Sequence, residues 1–237
     1  SEAATRAVAL LRNWNAAAVA NRPEPLIFEA WMRELSRLIY ADELGDLFDG
    51  AWDLRPLFLF NVLTNHNGES RWCDDISTEP RETCDTIVAR ALDLALADLQ
   101  RRYGSDMTAW RWGDAHFARS AHRPFSNVKY LRDVFDLTVP TPGDTYSIDV
   151  GRFIVNDEAE PFASRHAPSL RAIYDLADLD RSLFMQSTGE SGNRLSRYYD
   201  NFVKPWANLE YFRIASKRPD IEPGALGTLT LLPAKAP

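Results

Sequence analysis

This chain of 237 residues is short of cysteine, histidine and positive charge: it has Cys 2, His 4 and a net charge of −7. The two cysteines form no C-x-x-C pair and have no histidine pair nearby, so the spacing of a structural metal site is missing. With 27 Lys and Arg against 34 Asp and Glu, no general attraction to DNA, RNA or anionic lipid is expected, and the acidic balance reads as solubility. Long apolar runs are also missing. Leu57-Phe58-Leu59-Phe60 stops far short of the roughly 20 residues a membrane helix needs. The start, Ser1-Glu2-Ala3-Ala4, lacks the basic and then apolar run of a signal peptide. A mature chain, an internal piece of a longer polypeptide or a cytosolic protein is therefore expected, and the absence of an initial Met favours the first two.

What is present suits a globular fold. Apolar residues make up 45% and charged residues 26%, with Trp 7, Phe 12 and Tyr 8. A chain of this size buries roughly 70–75% of its unfolded surface. Disorder, collagen and a low-complexity scaffold are excluded. Cys73 and Cys84 flank a short Pro-containing loop that precedes a helix. They read either as a disulfide, stabilising by about 3 kcal/mol if unstrained, or as two separate buried thiols. The disulfide is preferred on spacing, and it would imply an oxidising compartment.

Apolar periodicity predicts a helix over Leu26–Leu47, a shorter apolar segment over Leu54–Leu63, and a long helix opened by Pro80 and Glu82 that ends near Tyr103-Gly104. From Trp110 to Pro142 the chain is rich in aromatics, His and Pro, without helical period. Alternation predicts a strand over Thr145–Val150. Strands over Leu170–Leu176 and Ser182–Ser187 form a hairpin through Ala177-Asp178-Leu179-Asp180-Arg181. A helix over Arg194–Trp206 and strands near Tyr211–Ile214 and Thr228–Leu232 complete the reading. Helices followed by mostly antiparallel strands give an α+β class. With no repeat or linker, 1–237 reads as a single unit: 1–105 a mainly helical layer, 106–237 mainly strands with one helix.

Three constellations invite a chemical reading. Gly189-Glu190-Ser191-Gly192 is similar to the surroundings of trypsin-like nucleophiles, and His66, His116, His122 and His166 could supply a base. That fold is two β-barrels, however, whereas the first half here is helical. A nucleophile elbow needs Gly where Asn193 stands. The segment reads instead as a Gly-bounded turn between strand and helix, with Ser191 or Asn193 as the helix cap. His116 and His122 sit among aromatics and read as packing residues, since no further ligands stand at a metal spacing. A free N-terminal Ser1 would carry nucleophile and base on one residue, but it is equally what a cleaved tag leaves.

Trp110-Arg111-Trp112-Gly113-Asp114-Ala115-His116, Pro142-Gly143-Asp144-Thr145 and Gln186-Ser187-Thr188-Gly189-Glu190-Ser191-Gly192-Asn193 together resemble the penicillin acylase (penicillin amidase) family. Ser196-Arg197-Tyr198-Tyr199-Asp200, Trp206 and Tyr211 continue the match in order. Trp72-Cys73-Asp74-Asp75 and Glu82-Thr83-Cys84 extend it over nearly the whole chain. The resemblance implies part of an αββα N-terminal-nucleophile hydrolase sandwich, made by cleavage of a precursor into α and β chains. In such enzymes an N-terminal Ser attacks the amide carbonyl with its own amine as base, and water then hydrolyses the acyl-enzyme.

This chain resembles only the C-terminal portion of the β chain. Ser1-Glu2-Ala3-Ala4-Thr5 departs from the family's β-chain start, and the oxyanion-stabilising Asn and the calcium ligands belong upstream. No catalytic, cofactor-binding or metal-binding residue is therefore assigned here, Asn193 and His116 included, and no cofactor is expected. The expected function is the scaffold portion of an amidohydrolase acting on acylated amines of the penicillin or acyl-homoserine-lactone type, inactive in isolation. The alternative is a non-catalytic binding or structural module. The implied partners are the rest of the β chain, the α chain and, in the full enzyme, an acylated amine, with no nucleic acid or membrane. The implied location is periplasmic or secreted.

Overall fold

Leu26, Ile27, Leu35 and Ile39 recur at helical spacing, and all four are fully buried on one face of α2 (Glu24–Leu44). Each such side chain contributes roughly 1.5–3 kcal/mol of burial. Pro25 suits the first turn of α2, and Gly45, at φ 48°, ends it. The computed structural model describes residues 1–234, and the chain falls into two compact units, Ser1–Pro168 and a second from Ser169 onward.

In the first unit, α1 (Glu2–Arg12), α2, α3 (Phe48–Ala51), α4 (Pro56–Leu63) and α5 (Cys84–Tyr103) form the helical part. The long helices α2 and α5 pack against each other, and Ile87, Ala91, Leu92, Ala95, Leu96 and Leu99 form the inward stripe of α5. Thr83 caps α5 by accepting from the Thr86 N–H at 3.3 Å. Cys73 and Cys84 are joined in a disulfide, so the first of the two sequence readings holds. The buried Arg33 guanidinium donates to Val155 O (2.8 Å), Glu34 (2.9 Å) and Glu158 (2.6 Å) and lies over the Trp52 ring. It thereby ties α2 to the later 153–162 segment. That segment follows α6 (Trp112–Ala115), β1 (Phe117–Ser120), α7 (Lys129–Phe135) and β2 (Leu137–Pro140). Strands β1 and β2 are antiparallel, with Phe117 opposite Pro140 and Ser120 opposite Leu137.

The second unit holds β3 (Leu170–Ile173), β4 (Leu183–Gln186), α8 (Val203–Ala207), β5 (Phe212–Arg213) and α9 (Arg218–Ile221). Its strands form an antiparallel sheet in the order β3-β4-β5. The hairpin through 177–181 is present as expected, its loop held by Asp175 and Asp178 side chains that accept backbone N–H groups. Asp180 is buried there and accepts from Lys217 Nζ (2.7 Å), Ser216 N (2.8 Å) and Ser216 Oγ (2.9 Å). The Lys217 hydrogen bond, with those from Ser216, holds its carboxyl well below the usual carboxylate range. Arg171 lies over the Trp206 ring and donates to Trp206 O at 2.6 Å.

The chain is α+β, with both sheets antiparallel and small. Three local expectations are corrected. Thr145–Val150 is not a strand: Asp144 Oδ1 accepts the N–H groups of Tyr146 and Ser147, which folds the backbone into a turn and leaves Ile148 fully exposed. The helix expected over Arg194–Trp206 shrinks to α8. Side chains of Asn193 and Ser196 cap local turns, while the Gly189 and Ser191 N–H groups bond to Tyr199 O and Tyr198 O. Thr228–Leu232 is not a strand either: Leu229, Leu231 and Leu232 are exposed, and no strand of the described residues pairs with them.

Candidate functional site

The tryptophan-rich motif folds onto the glycine segment that follows it. Trp112 N and Gly113 N donate to Arg22 O (2.9 Å) and Ala20 O (2.8 Å), and the Trp112 indole N–H donates to Gly143 O at 2.8 Å. His116 stacks on Trp112 with ring centroids 4.5 Å apart and planes at 7°. Phe153 and Phe162 close around both rings. Two glycines make the closeness feasible. A Cβ at Gly151 would stand 2.3 Å from His116 Nε2, and one at Gly143 (φ +79°) would stand 2.0 Å from Asp149 O.

His116 is fully buried, and its Nδ1 lies 2.7 Å from Phe162 O. A carbonyl only accepts, so Nδ1 carries the proton and Nε2 is left with a lone pair. Nε2 meets no hydrogen-bond partner among the described residues. Burial therefore drives the His116 pKa down to about 4, and the ring is neutral at ordinary pH. Its ring packs against Trp112 and Phe153.

Asp144, half-buried and pinned by the turn it caps, acts electrostatically on a buried acid, Glu29 of α2. Burial, with Asp144 as the lesser contributor, pushes the Glu29 pKa up to about 8. Glu29 lines a half-open cleft of about 460 Å³ whose other walls are apolar apart from Tyr146; they include Phe28, Met32, Leu59 and Phe60. The Tyr146 hydroxyl is occupied, donating to Leu54 O at 2.6 Å. Sequence reasoning passed over Glu29, although one signal was available: an acid inside the apolar run Leu26-Ile27-Phe28-Glu29-Ala30-Trp31-Met32.

The other sequence candidates do not converge. Ser191 Oγ accepts from the Asn193 N–H at 3.1 Å, and Asn193 Oδ1 accepts from Leu195 N at 3.0 Å. This is the expected Gly-bounded turn, but it caps turns and not a helix. Ser1 Oγ caps α1 by accepting from Ala4 N and donates to Asp93 at 2.7 Å. Neither serine meets a histidine ring among the described residues. His122 stacks on Phe125 at 5.0 Å, while His66 and His166 are exposed. Among the described residues no three His, Cys, Asp or Glu side chains gather to hold a metal ion, and no helix is long and apolar enough to cross a membrane.

The motifs just described are matched by a family model for penicillin amidase, which covers residues 1–223. The chain belongs to the penicillin amidase family. Acyl-homoserine lactone acylase QuiP of Pseudomonas syringae pv. syringae (strain B728a) is 30% identical over 224 residues, which is 91% of this chain and 27% of that protein. QuiP of Pseudomonas aeruginosa is 25% identical over 210 residues, 81% of this chain and 24% of that protein. Among solved structures, the thermostable penicillin G acylase from Alcaligenes faecalis matches with a TM-score of 0.53 at 14% identity, covering 99% of this chain and 43% of that one. At that identity the likeness speaks to fold alone. This penicillin amidase family member spans about a quarter of the length of the curated relatives it matches.

Proposed function

We propose that this chain is the C-terminal scaffold portion of an amidohydrolase that cleaves the amide of acylated amines, of the kind its acyl-homoserine lactone acylase and penicillin G acylase relatives are named for. The carrying observation is the family match across residues 1–223 in a chain that spans about a quarter of the length of the acyl-homoserine lactone acylases it matches. The Ser1 hydroxyl caps α1 through Ala4 N and is held by the Asp93 carboxylate, a helix-capping role that supports the scaffold reading. On this reading the chain is inactive alone and works with the rest of the β chain and the α chain of one precursor. The Cys73–Cys84 disulfide supports a periplasmic or secreted location.

The test is hydrolysis of N-acyl-homoserine lactones and acyl-anilides of varied acyl length, by the purified chain and by the full polypeptide. The expected result is no turnover by the chain alone and amide cleavage by the full polypeptide. Turnover by the chain alone would overturn the scaffold reading. Absence of turnover in both would leave the non-catalytic module.

A further inference from the structure

Helix α4, Pro56-Leu57-Phe58-Leu59-Phe60-Asn61-Val62-Leu63, is apolar on both faces. Leu59 and Val62 are buried inward, yet Leu57 and Phe60 are 74% and 62% exposed. A helix apolar all round ordinarily has protein on both sides, and a contiguous exposed apolar patch marks an interaction surface. Phe60 and Leu63 of the outward row, with Phe28 of α2, line the 460 Å³ cleft that Glu29 also lines. Glu29 itself is 6% exposed, and no donor among the described residues hydrogen-bonds its carboxyl. The Glu29 carboxyl lines the cleft, so a group docked there meets it directly.

We propose that this cleft is a docking surface for an apolar segment of the remainder of the family polypeptide, and that the segment carries one lysine or arginine whose cation pairs with Glu29. The inference rests on the reading of the chain as one portion of a longer amidohydrolase. Relatives with about three quarters of their length outside the match have ample polypeptide to cover α4. Charge selects the cation. Asp144 acts electrostatically on Glu29, and Asp53 and Tyr146 are further acidic groups on this side. The cations on this side, Arg152 at 3.8 Å from Asp53 and Arg55 donating to Ala51 O at 3.3 Å, do not hydrogen-bond Glu29. The exposed Leu57 carries the apolar row of α4 past the cleft lining, which suits a chain segment better than a small ligand.

The experiment is reassociation of the purified chain with the separately purified upstream remainder of its reading frame, followed by sedimentation between pH 6 and pH 8.5. Pairing requires Glu29 to give up its proton, so association is expected to tighten as pH rises. Glu29→Gln should weaken it at least about tenfold at pH 8 and abolish the pH dependence, and Phe60→Ser should weaken it independently. Circular dichroism checks that both variants are folded, and Glu29→Gln removes a buried acid and so keeps the fold. Association of Glu29→Gln equal to wild type at every pH would overturn the proposal. So would a photo-crosslinker at position 60 that captures a second copy of this chain instead of the remainder. Hydrolysis is a separate readout. Glu29-dependent assembly without amide turnover would sink the proposed activity alone, whereas turnover in a complex indifferent to Glu29 would sink the docking surface alone.

Discussion

Glu29 and His116 make the stability of this chain depend on pH in opposite senses. The unfolded chain ionises Glu29 from its ordinary value of 4.5, whereas the folded chain holds the proton until about pH 8. Over that interval the unfolded state binds fewer protons, so stability falls as pH rises. At about 1.4 kcal/mol per pH unit the full interval amounts to about 5 kcal/mol, an upper bound. His116 works the other way. Its folded pKa of about 4 lies below the ordinary 6.5, so stability rises with pH between those values, by about 3 kcal/mol. The two slopes largely cancel from pH 4.5 to 6.5, and above 6.5 only Glu29 remains. The carboxylates held below their ordinary values, such as Asp157 and Glu160, act in a more acidic window. Wild type should therefore lose about 2 kcal/mol between pH 6.5 and 8. Glu29→Gln should be flat there and more stable than wild type at pH 8. Urea unfolding followed by tryptophan fluorescence, disulfide intact, measures both. A wild-type curve that is flat or rising from pH 6.5 to 8, with no gain in the variant, would refute the reasoning.

Three further outcomes are expected. Replacing Cys73 and Cys84 together by Ser should cost about 3 kcal/mol in urea unfolding; an unchanged midpoint would mean that the unfolded loop is already constrained. Gly151→Ala should cost about 1–3 kcal/mol, because its methyl would meet His116 Nε2. Gly50→Ala, which meets nothing within 4 Å, should cost nothing, and equal effects would contradict the packing described. Asp180→Ala removes the acceptor for Ser216 and Lys217. It should speed proteolysis after residue 214 without moving the unfolding of the first unit, and unaltered cleavage kinetics would count against that anchoring role.

The helices were legible because burial over α2 and α5 repeats every three or four residues and because Gly104 closes α5, whereas Gly45 ends α2 at Leu44, short of the expected Leu47. The β3-β4 hairpin was legible because Ala177-Asp178-Leu179-Asp180-Arg181 separates two apolar runs, although β3 stops at Ile173 and Asp175, expected in the strand, holds the loop. Legibility failed where side chains competed for the backbone. Thr145–Val150 alternates like a strand, but Asp144 captures two N–H groups and turns it. The β1-β2 pair was missed because β1, Phe117-Ala118-Arg119-Ser120, has no strong alternation and takes its register from Leu137–Pro140, 20 residues on. Glu29 was missed for a different reason. Helical periodicity says that an acid sits among apolar residues; only the fold says that it is buried with no hydrogen-bond donor among the described residues.

The residues that identify the family in this chain are occupied with shape. Trp112 reaches Gly143 O, His116 is sealed between Trp112 and Gly151, Gly189 gives its N–H to Tyr199 O, and the two cysteines are joined to each other. Each of these contacts fails if one partner changes, because a Cβ or a lost donor has nowhere to go. Geometric intolerance of this kind constrains these positions by packing alone. A family motif here therefore points to packing first. The group that departs from that pattern is Glu29, which lies outside the motifs quoted above and whose carboxyl has no hydrogen-bond donor among the described residues.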